Sequence, residues 1–330
     1  MSLISIRPEG LYCEPGNFYI DPWRSVETAL ITHAHSDHAR SGSDRYYAID
    51  SSEGILRKRL GKSINLTPTQ YGNRFKLGNT WVSFHSAGHV LGSAQIRIEH
   101  KDDVWVVSGD YKRCADPTCE PFEVVECDTY ITEATFGLPI YHWQSGTETA
   151  EQIYRWWQND LERPSLLFCY SFGKAQRVLA ELTQFTDQTV YVHGAIEALT
   201  EIYRKVGVAM LSTVPTSQTE KSYTFQGDLV IAPPSGYRSA WMKRFKRPQT
   251  AFASGWMAVR GARRRRGYER GFVLSDHADW PSLIKTVRET NAKTVYVTHG
   301  QNAVLSRYLT EQLGINAMPL DTLFEGEIDS

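Results

Sequence analysis

The chain has 330 residues and a formal net charge of −1, and its composition is ordinary for a globular protein. This length suits one large domain or two smaller ones with a sizeable core, and the overall charge does not indicate a polyanionic partner. No apolar run is long enough to cross a bilayer, and the N-terminal stretch lacks the apolar segment of a signal peptide. The odd number of cysteines, five, favours reduced thiols in a cytoplasmic protein with no membrane attachment.

Short apolar runs recur along the chain, and each leads into a polar or glycine-containing turn, as is typical of strands. Helical patterns follow from about Lys174 to Gln184, from Pro281 onward, and up to Leu313, where Gly314 is predicted to end the helix. Because strands and helices alternate, the sequence predicts the α/β class. The predicted strands in chain order are Val104–Val107, Tyr130–Thr132, Leu166–Tyr170, Val190–Val192, Leu229–Ile231, Phe272–Leu274 and Val295–Val297.

Three histidines and an aspartate follow the apolar run at 29–31 within six positions. Imidazole and carboxylate groups are good ligands of zinc and acceptable ligands of manganese. Because residues two apart point the same way in an extended turn, His33 and His35 can share one ion. Asp37 and His38 then face a second ion, so the cluster predicts a site for two metals.

Three later residues are candidate ligands, namely His89, Asp110 and His299. The first lies among small residues that let the backbone approach closely, and the other two follow predicted strands, at the edge of an open α/β sheet where ligands bind. Asp21, after another apolar run, either orients a ligand histidine by accepting its second N–H or forms a turn before proline. We expect one metal position to consist of His33, His35 and His89, the other of Asp37, His38 and His299, and Asp110 to bridge them.

The segment from Gly236 to Arg270 contains eleven lysines and arginines against one acid. Positive charge interleaved with aromatic faces suits a nucleic-acid backbone and its bases, and a solvated surface loop is the alternative. The region from about 140 to 265 has its own strands and helices but few candidate ligands, which indicates an insertion into a domain made from both ends of the chain. The interleaved aromatic residues are Tyr237, Trp241, Phe245, Phe252, Trp256 and Tyr268.

Together these motifs resemble the metallo-β-lactamase superfamily and, within it, the β-CASP nucleases. Residues 33–38 match the HxHxDH motif, and His89 in "AGHVLGSA" and Asp110 in "SGDY" match the next ligand motifs. The stretch "SFGKAQRVL" at 171–179 resembles the start of the nucleic-acid-gripping insertion. The three motifs that mark the β-CASP group match Glu133 in "ITEATFG", His277 in "LSDHADW" and His299 in "THG".

The resemblance implies an α/β fold in which an αββα metallo-β-lactamase sandwich is formed by residues 1–140 and 266–330. Residues 141–265 are then an inserted α/β β-CASP domain that binds nucleic acid. It also implies a binuclear phosphodiesterase with two zinc ions, or manganese in their place, in which a metal-bridging hydroxide attacks phosphorus. The residues expected to carry the reaction are Asp37, Asp110, Glu133 and His277. His277 is expected to be hydrogen-bonded to Glu133 and either to donate a proton to the leaving oxygen or to hold a non-bridging oxygen.

Within the β-CASP group the chain looks most like the bacterial ligase-associated DNA exonucleases. That resemblance implies a DNA exonuclease acting in repair on single-stranded or end-containing DNA, with a DNA ligase and a helicase as partners. His299 is a departure, because RNA-cutting members usually have histidine there and several DNA-cutting members have valine. An RNA-processing nuclease is therefore an alternative, as are a small-molecule ester or thioester hydrolase and an inactive binding subunit. Predicted phosphate contacts are Lys112, Arg113, Ser171, Gly173, Lys174 and Gln176.

Overall fold

A computed structural model of the protein describes residues 2–259, 261 and 267–323. The chain divides into two compact units. The first unit contains the residues up to Arg113, the segment Cys119–Tyr141 and the residues from His277 onward. The second contains the short segment Cys114–Thr118 and the long segment His142–Asp276. The first unit is therefore discontinuous in sequence. That residues 141–265 bind nucleic acid stays a prediction.

The first sheet of unit one has six strands in chain order within the described ranges. Its first three strands are antiparallel neighbours, and the last four pair in parallel. Helix α1, Glu53–Leu60, lies between its last two strands in the chain. The strands are β1 Ile4–Arg7, β2 Gly10–Cys13, β3 Phe18–Ile20, β4 Thr28–Leu30, β5 Arg45–Ile49 and β6 Leu66–Thr69.

The second sheet of unit one has seven strands, again counting only described residues, in the order β19-β18-β11-β10-β9-β8-β7. Strands β7 to β10 pair antiparallel, whereas β10, β11, β18 and β19 pair in parallel. Parallel neighbours end at the same edge, so the residues after them come together. The strands are β7 Arg74–Leu77, β8 Thr80–Ser86, β9 Ala94–His100, β10 Asp103–Val107, β11 Thr129–Glu133, β18 Thr294–Thr298 and β19 Asn316–Pro319.

These two sheets pack face to face around one apolar core. Phe18 and Leu30 from the first sheet and Ile96 and Ile131 from the second belong to the same buried cluster. Burying each such side chain stabilises the fold by about 1.5–3 kcal/mol. Two helices, α5 Trp280–Glu289 and α6 Asn302–Leu313, contribute to another cluster on the outer face of the second sheet. The helix predicted from Pro281 is confirmed, and so is the helix that ends before Gly314, whose φ is 66°.

Unit two is built on a third sheet, whose described strands follow the order β14-β13-β15-β12-β16-β17. The pairings between its described strands are parallel. Its α-helices among the described residues are α2 Gly146–Gln158, α3 Lys174–Glu181 and α4 Gly194–Lys205, and the predicted helix from Lys174 is confirmed. The strands are β12 Ser165–Phe168, β13 Val190–Val192, β14 Thr213–Pro215, β15 Leu229–Ala232, β16 Gln249–Ala253 and β17 Arg270–Phe272.

Both faces of this parallel sheet are covered, as parallel sheets require. Side chains of α2, α3 and α4 pack on one face. The interleaved aromatics of the basic segment pack with the other face, where Phe252 stacks on Tyr268 with ring centres 5.1 Å apart. The prediction that these aromatic faces serve nucleic-acid bases is wrong for Phe245 and Phe252, which are core residues. The basic positions Arg260 and Arg263–Arg266 lie outside the described residues.

The predicted α/β class is confirmed, because both units contain strands and helices, and their sheets are mixed or parallel. The complete four-layer metallo-β-lactamase sandwich stays a prediction. Among the residues that the structure describes, no helix combines the length and the apolar character needed to span a membrane.

Candidate metal centre

The candidate ligands all follow strands of unit one. The histidine cluster comes after β4, His89 after β8, Asp110 after β10 and His299 after β18. His299 has a left-handed backbone with φ 58°, and Gly300 follows with φ 62°. A Cβ at Gly300 would lie 2.5 Å from the Ala134 carbonyl oxygen, so only glycine allows this turn to pack on the loop after β11.

The first candidate metal position brings together His33, His35, His89 and Asp110. Nδ1 of His35 lies 3.0 Å from Nε2 of His89, and Nε2 of His33 lies 3.4 Å from Oδ2 of Asp110. One ligand atom from each residue lies within 4.8 Å of all the others. These are nitrogen and oxygen donors of the kind that zinc and manganese accept.

The second candidate position brings together Asp37, His38 and His299. Nε2 of His38 lies 3.7 Å from Oδ2 of Asp37, and the rings of His38 and His299 stack with centres 5.2 Å apart. Oδ2 of Asp110 is 3.4 Å from Nε2 of His38. Asp110 therefore contacts imidazoles of both groups, the arrangement that the sequence predicts for a bridging carboxylate.

The electrostatics of this cluster suit a cation. Within the described part of the chain, His33 Nε2 and Asp110 Oδ1 are buried without a hydrogen-bond partner, which costs free energy unless something else binds them. Burial and the neighbouring His38 lower the pKa of His33 well below its usual range, so this imidazole is neutral and able to coordinate. Burial opposes ionisation of Asp110, but His38 and His277 outweigh it and hold the pKa of Asp110 well below its usual range. Burial lowers the pKa of His299 to about 4.

Asp21 lies behind the ligands, at the end of β3, with a left-handed backbone at φ 42°. Its Oδ2 is 2.7 Å from Nδ1 of His38, on the opposite side of the ring from Asp110. Asp21 is buried, and burial raises the pKa of its carboxyl group. This geometry matches the expectation that Asp21 orients a ligand histidine.

A second pair of titratable groups borders the ligands. Nδ1 of His277 lies 2.8 Å from Oε2 of Glu133, and the backbone N–H of Tyr111 donates to Oε1 of Glu133 at 2.7 Å. Nδ1 of His277 is also 4.0 Å from Oδ2 of Asp110. The hydrogen-bonded pair expected from the sequence is present, and both of its side chains are buried. Their catalytic roles stay predictions.

Two side chains that were predicted to contact phosphate, Lys112 and Arg113, have protein partners instead. Lys112 is 1% exposed, and its Nζ donates to the backbone carbonyl of His89 at 3.1 Å. Arg113 donates to Thr286 Oγ1 at 3.2 Å and pairs with Glu289 at 2.5 Å. Lys112 supports a ligand-bearing turn, and Arg113 contacts α5. Their positions after a strand suggested exposed cations, but the Lys112 side chain is buried and the Arg113 side chain is only 16% exposed.

The four predicted contacts in unit two lie around the start of α3. Lys174 is buried and pairs with Asp276 at 3.3 Å. Gln176 is buried too; its Oε1 accepts from Gly173 N, and its Nε2 donates to the Ser171 carbonyl. The predicted contact is wrong for the Lys174 ammonium, which faces a carboxylate rather than solvent. Gln176 occupies one of the backbone N–H groups at the start of the helix, that of Gly173, where a phosphate was expected.

Replacing Lys112 with methionine tests its position behind the metal centre. We expect the variant to bind zinc about 10–100-fold more weakly, because His89 loses a contact that holds its turn. The salt dependence of nucleic-acid binding is expected to stay the same, since a phosphate contact would instead flatten it. Chelator competition and binding titrations at several salt concentrations measure the two quantities. Unchanged zinc affinity together with a flatter salt dependence would contradict this position and support the predicted contact of Lys112 with phosphate.

The sequence pattern missed one residue of this centre. Thr32, directly before the histidine cluster, is buried and contacts Asp21, and its hydroxyl lies 3.1 Å from Nδ1 of His33. A threonine that ends an apolar run is also typical of an ordinary strand. Its position next to the histidine cluster was the only feature of the sequence that could have indicated a role for Thr32 in this centre.

Comparison with known proteins gives relatives but no matching family model. The chain is 29% identical over 307 residues to a protein named probable DNA ligase from Opitutus terrae, which covers 92% of this chain and 30% of that protein. It is 21% identical over 211 residues to an RNase J-like protein from Methanocaldococcus jannaschii, covering 54% of this chain and 50% of the relative. It is 30% identical over 234 residues to the transcription termination factor FttA of Methanosarcina mazei, covering 55% and 35%.

The chain thus spans half or less of the length of each of these relatives. A solved structure titled as a protein of unknown function from Enterococcus faecalis V583 shares the fold, with a TM-score of 0.62 at 12% identity, over 90% of this chain and 80% of that one. The RNase J-like and FttA relatives support the metallo-β-lactamase superfamily as the class of this chain. The relative named as a ligase does not show which group within this superfamily the chain resembles most.

Proposed function

We propose that the protein is a metal-dependent nuclease of the β-CASP type. The observation that carries this proposal is Asp110, whose carboxylate contacts imidazoles of two candidate metal positions and lies beside the buried Glu133–His277 pair. Relatives named RNase J-like protein and FttA support the same class of enzyme. A binding subunit without activity would not need this complete set of ligands.

Two divalent ions bound there would polarise a phosphodiester and lower the pKa of bound water toward neutrality. Asp110 would hold both ions through its carboxylate, with Asp37 beside the second position. Glu133 holds Nδ1 of His277, so Nε2 is the ring atom that can hold a phosphate oxygen or deliver a proton to the leaving oxygen. The backbone N–H of Tyr111 keeps the Glu133 carboxylate oriented for that task.

The finer proposal is a DNA exonuclease that acts in repair on single-stranded or end-containing DNA. Its support is the match of 92% of this chain to a longer protein named probable DNA ligase. Because that longer protein is named as a ligase, a DNA ligase is the proposed partner. A helicase partner is proposed only from the family resemblance.

RNA processing is the second candidate substrate class, and it fits at least as well. It is favoured by the RNase J-like relative and by the histidine at 299, which lies in the second metal position. A small-molecule ester or thioester hydrolase would use the same metals but does not need the Glu133–His277 pair.

Matched end-labelled DNA and RNA single strands, incubated with zinc or manganese, separate these candidates. We expect DNA to be shortened stepwise from one end, which also gives the polarity. Preferential cutting of RNA would favour the processing role and contradict the repair proposal. Cleavage of neither strand, together with ester hydrolysis that ignores added single-stranded DNA, would contradict the nuclease itself.

A further inference from the structure

The hydroxyl of Thr32 lies between three groups of the metal centre. It is 2.5 Å from Oδ2 of Asp21, 3.1 Å from Nδ1 of His33 and 3.5 Å from Nδ1 of His38. The backbone N–H of Thr32 also donates to Oδ1 of Asp21 at 2.7 Å. Thr32 and Asp21 are each 1% exposed, so water does not compete with these hydrogen bonds.

If His33 and His38 bind metal through Nε2, the donor and acceptor roles of these hydrogen bonds are fixed. Nε2 of His33 and Nε2 of His38 both face Asp110, so each ring carries its proton on Nδ1 when a metal is bound. His33 then donates to the Thr32 hydroxyl, Thr32 donates to Asp21, and His38 donates directly to Asp21. A single carboxylate thus accepts from one histidine directly and from the other through threonine.

The packing around Thr32 holds this hydroxyl in place. Gly109, next to Asp110, has φ 55°, and a Cβ there would lie 2.6 Å from the Thr32 hydroxyl oxygen. The carbonyl of Thr32 accepts from the N–H of Ala94 at 2.8 Å. The side chain is therefore enclosed between Asp21 and the turn that carries the bridging carboxylate, with little freedom to rotate.

We propose that Thr32 is a positioning residue that relays the Asp21 carboxylate to His33, so that one buried carboxylate orients imidazoles at both metal positions. The inference rests on the proposed metal centre. The relay predicts that the two metal positions depend unequally on Thr32. Zinc affinity at the His33 position needs the threonine hydroxyl, whereas His38 contacts Asp21 without it.

The test measures zinc affinity by chelator competition in two backgrounds that isolate the positions. Asp37→Ala with His299→Ala leaves the His33 position, and His35→Ala with His89→Ala leaves the His38 position. Thr32→Val keeps the shape and removes the hydroxyl, so we expect about 10–100-fold weaker zinc binding in the first background and little change in the second. Thr32→Ser keeps the hydroxyl and is expected to restore the affinity.

A buried threonine outside the centre supplies the matched control. Thr290 is buried and donates to the Val287 carbonyl, so Thr290→Val loses a hydrogen bond without touching a ligand. The melting temperature of each metal-free variant reports on folding. If Thr32→Val does not fold, Asp21→Asn, which tolerates the left-handed backbone, should weaken both positions.

Two results would overturn the relay. One is equal zinc affinity of Thr32→Val and Thr32→Ser at the His33 position, and the other is equal weakening of both positions by Thr32→Val. If the unaltered protein binds no zinc or manganese, the metal centre itself is wrong and the proposed function falls with it. Failure of the relay alone leaves two metals bound, which distinguishes the two cases.

Discussion

Asp110→Asn is expected to lower the rate of nucleic-acid cleavage by roughly a thousandfold or more. The change preserves the size of the side chain but removes the charge that faces His33, His38 and His89. A neutral amide cannot hold two cations close together, so bound metal is expected to fall below two ions per chain. Cleavage of an end-labelled strand and elemental analysis of the purified variant measure the two effects.

The same substitution at another aspartate of unit one provides the control. Asp128 pairs with Lys293 at 2.8 Å, and that lysine side chain is 82% exposed. Asp128→Asn removes this surface ion pair and keeps an amide oxygen that can accept from the Val104 N–H, so it should leave both cleavage and metal content unchanged. Full activity of Asp110→Asn would contradict the role of this carboxylate as a bridge.

Removing either member of the Glu133–His277 pair is expected to slow cleavage by about 10²–10⁴-fold while both metals stay bound. Glu133→Gln keeps an acceptor for the Tyr111 N–H but loses the charge that orients His277. His277→Gln removes the ring that would deliver the proton. Because the two residues act as a unit, the double variant should be little slower than the slower single variant.

Another histidine–glutamate pair in unit one serves for comparison. His85 and Glu123 are 2.8 Å apart, and the glutamate side chain is 50% exposed. His85→Gln should leave cleavage unchanged. Asp110, Glu133 and His277 could also form a metal-binding group of their own. Loss of a metal ion in Glu133→Gln would assign the pair to metal binding instead of proton transfer.

Much of the fold and the site could be predicted because both follow from strand ends. Asp110 and His299 follow β10 and β18, and Glu133 ends β11. These strands are mostly buried and pair in parallel, β10 with β11 and β11 with β18, and such strands give apolar segments that are easy to recognise. Their carboxyl ends meet at one edge, which is why the structure brings together residues that are far apart in sequence. The half-exposed strand β7, with the sequence RFKL, has no such run and was not predicted.

The direction of individual side chains could not be predicted. Lys112 and Arg113 follow Asp110 in a turn, and nothing in their order shows that one supports the His89 turn and the other contacts α5. The aromatics near Phe252 had two suitable environments, bases or a second sheet face, and only the three-dimensional packing decides between them. Residue type limits the chemistry, but the tertiary contacts determine which partner each group finds.

The discontinuity of unit one has a consequence for the protein during its synthesis. The first ligands lie near residue 33, and His299 comes from β18, after the whole of unit two has been made. Contacts between such distant segments close long loops and form slowly. A chain still emerging from the ribosome therefore lacks a complete second candidate metal position until β18 and the turn after it have been translated.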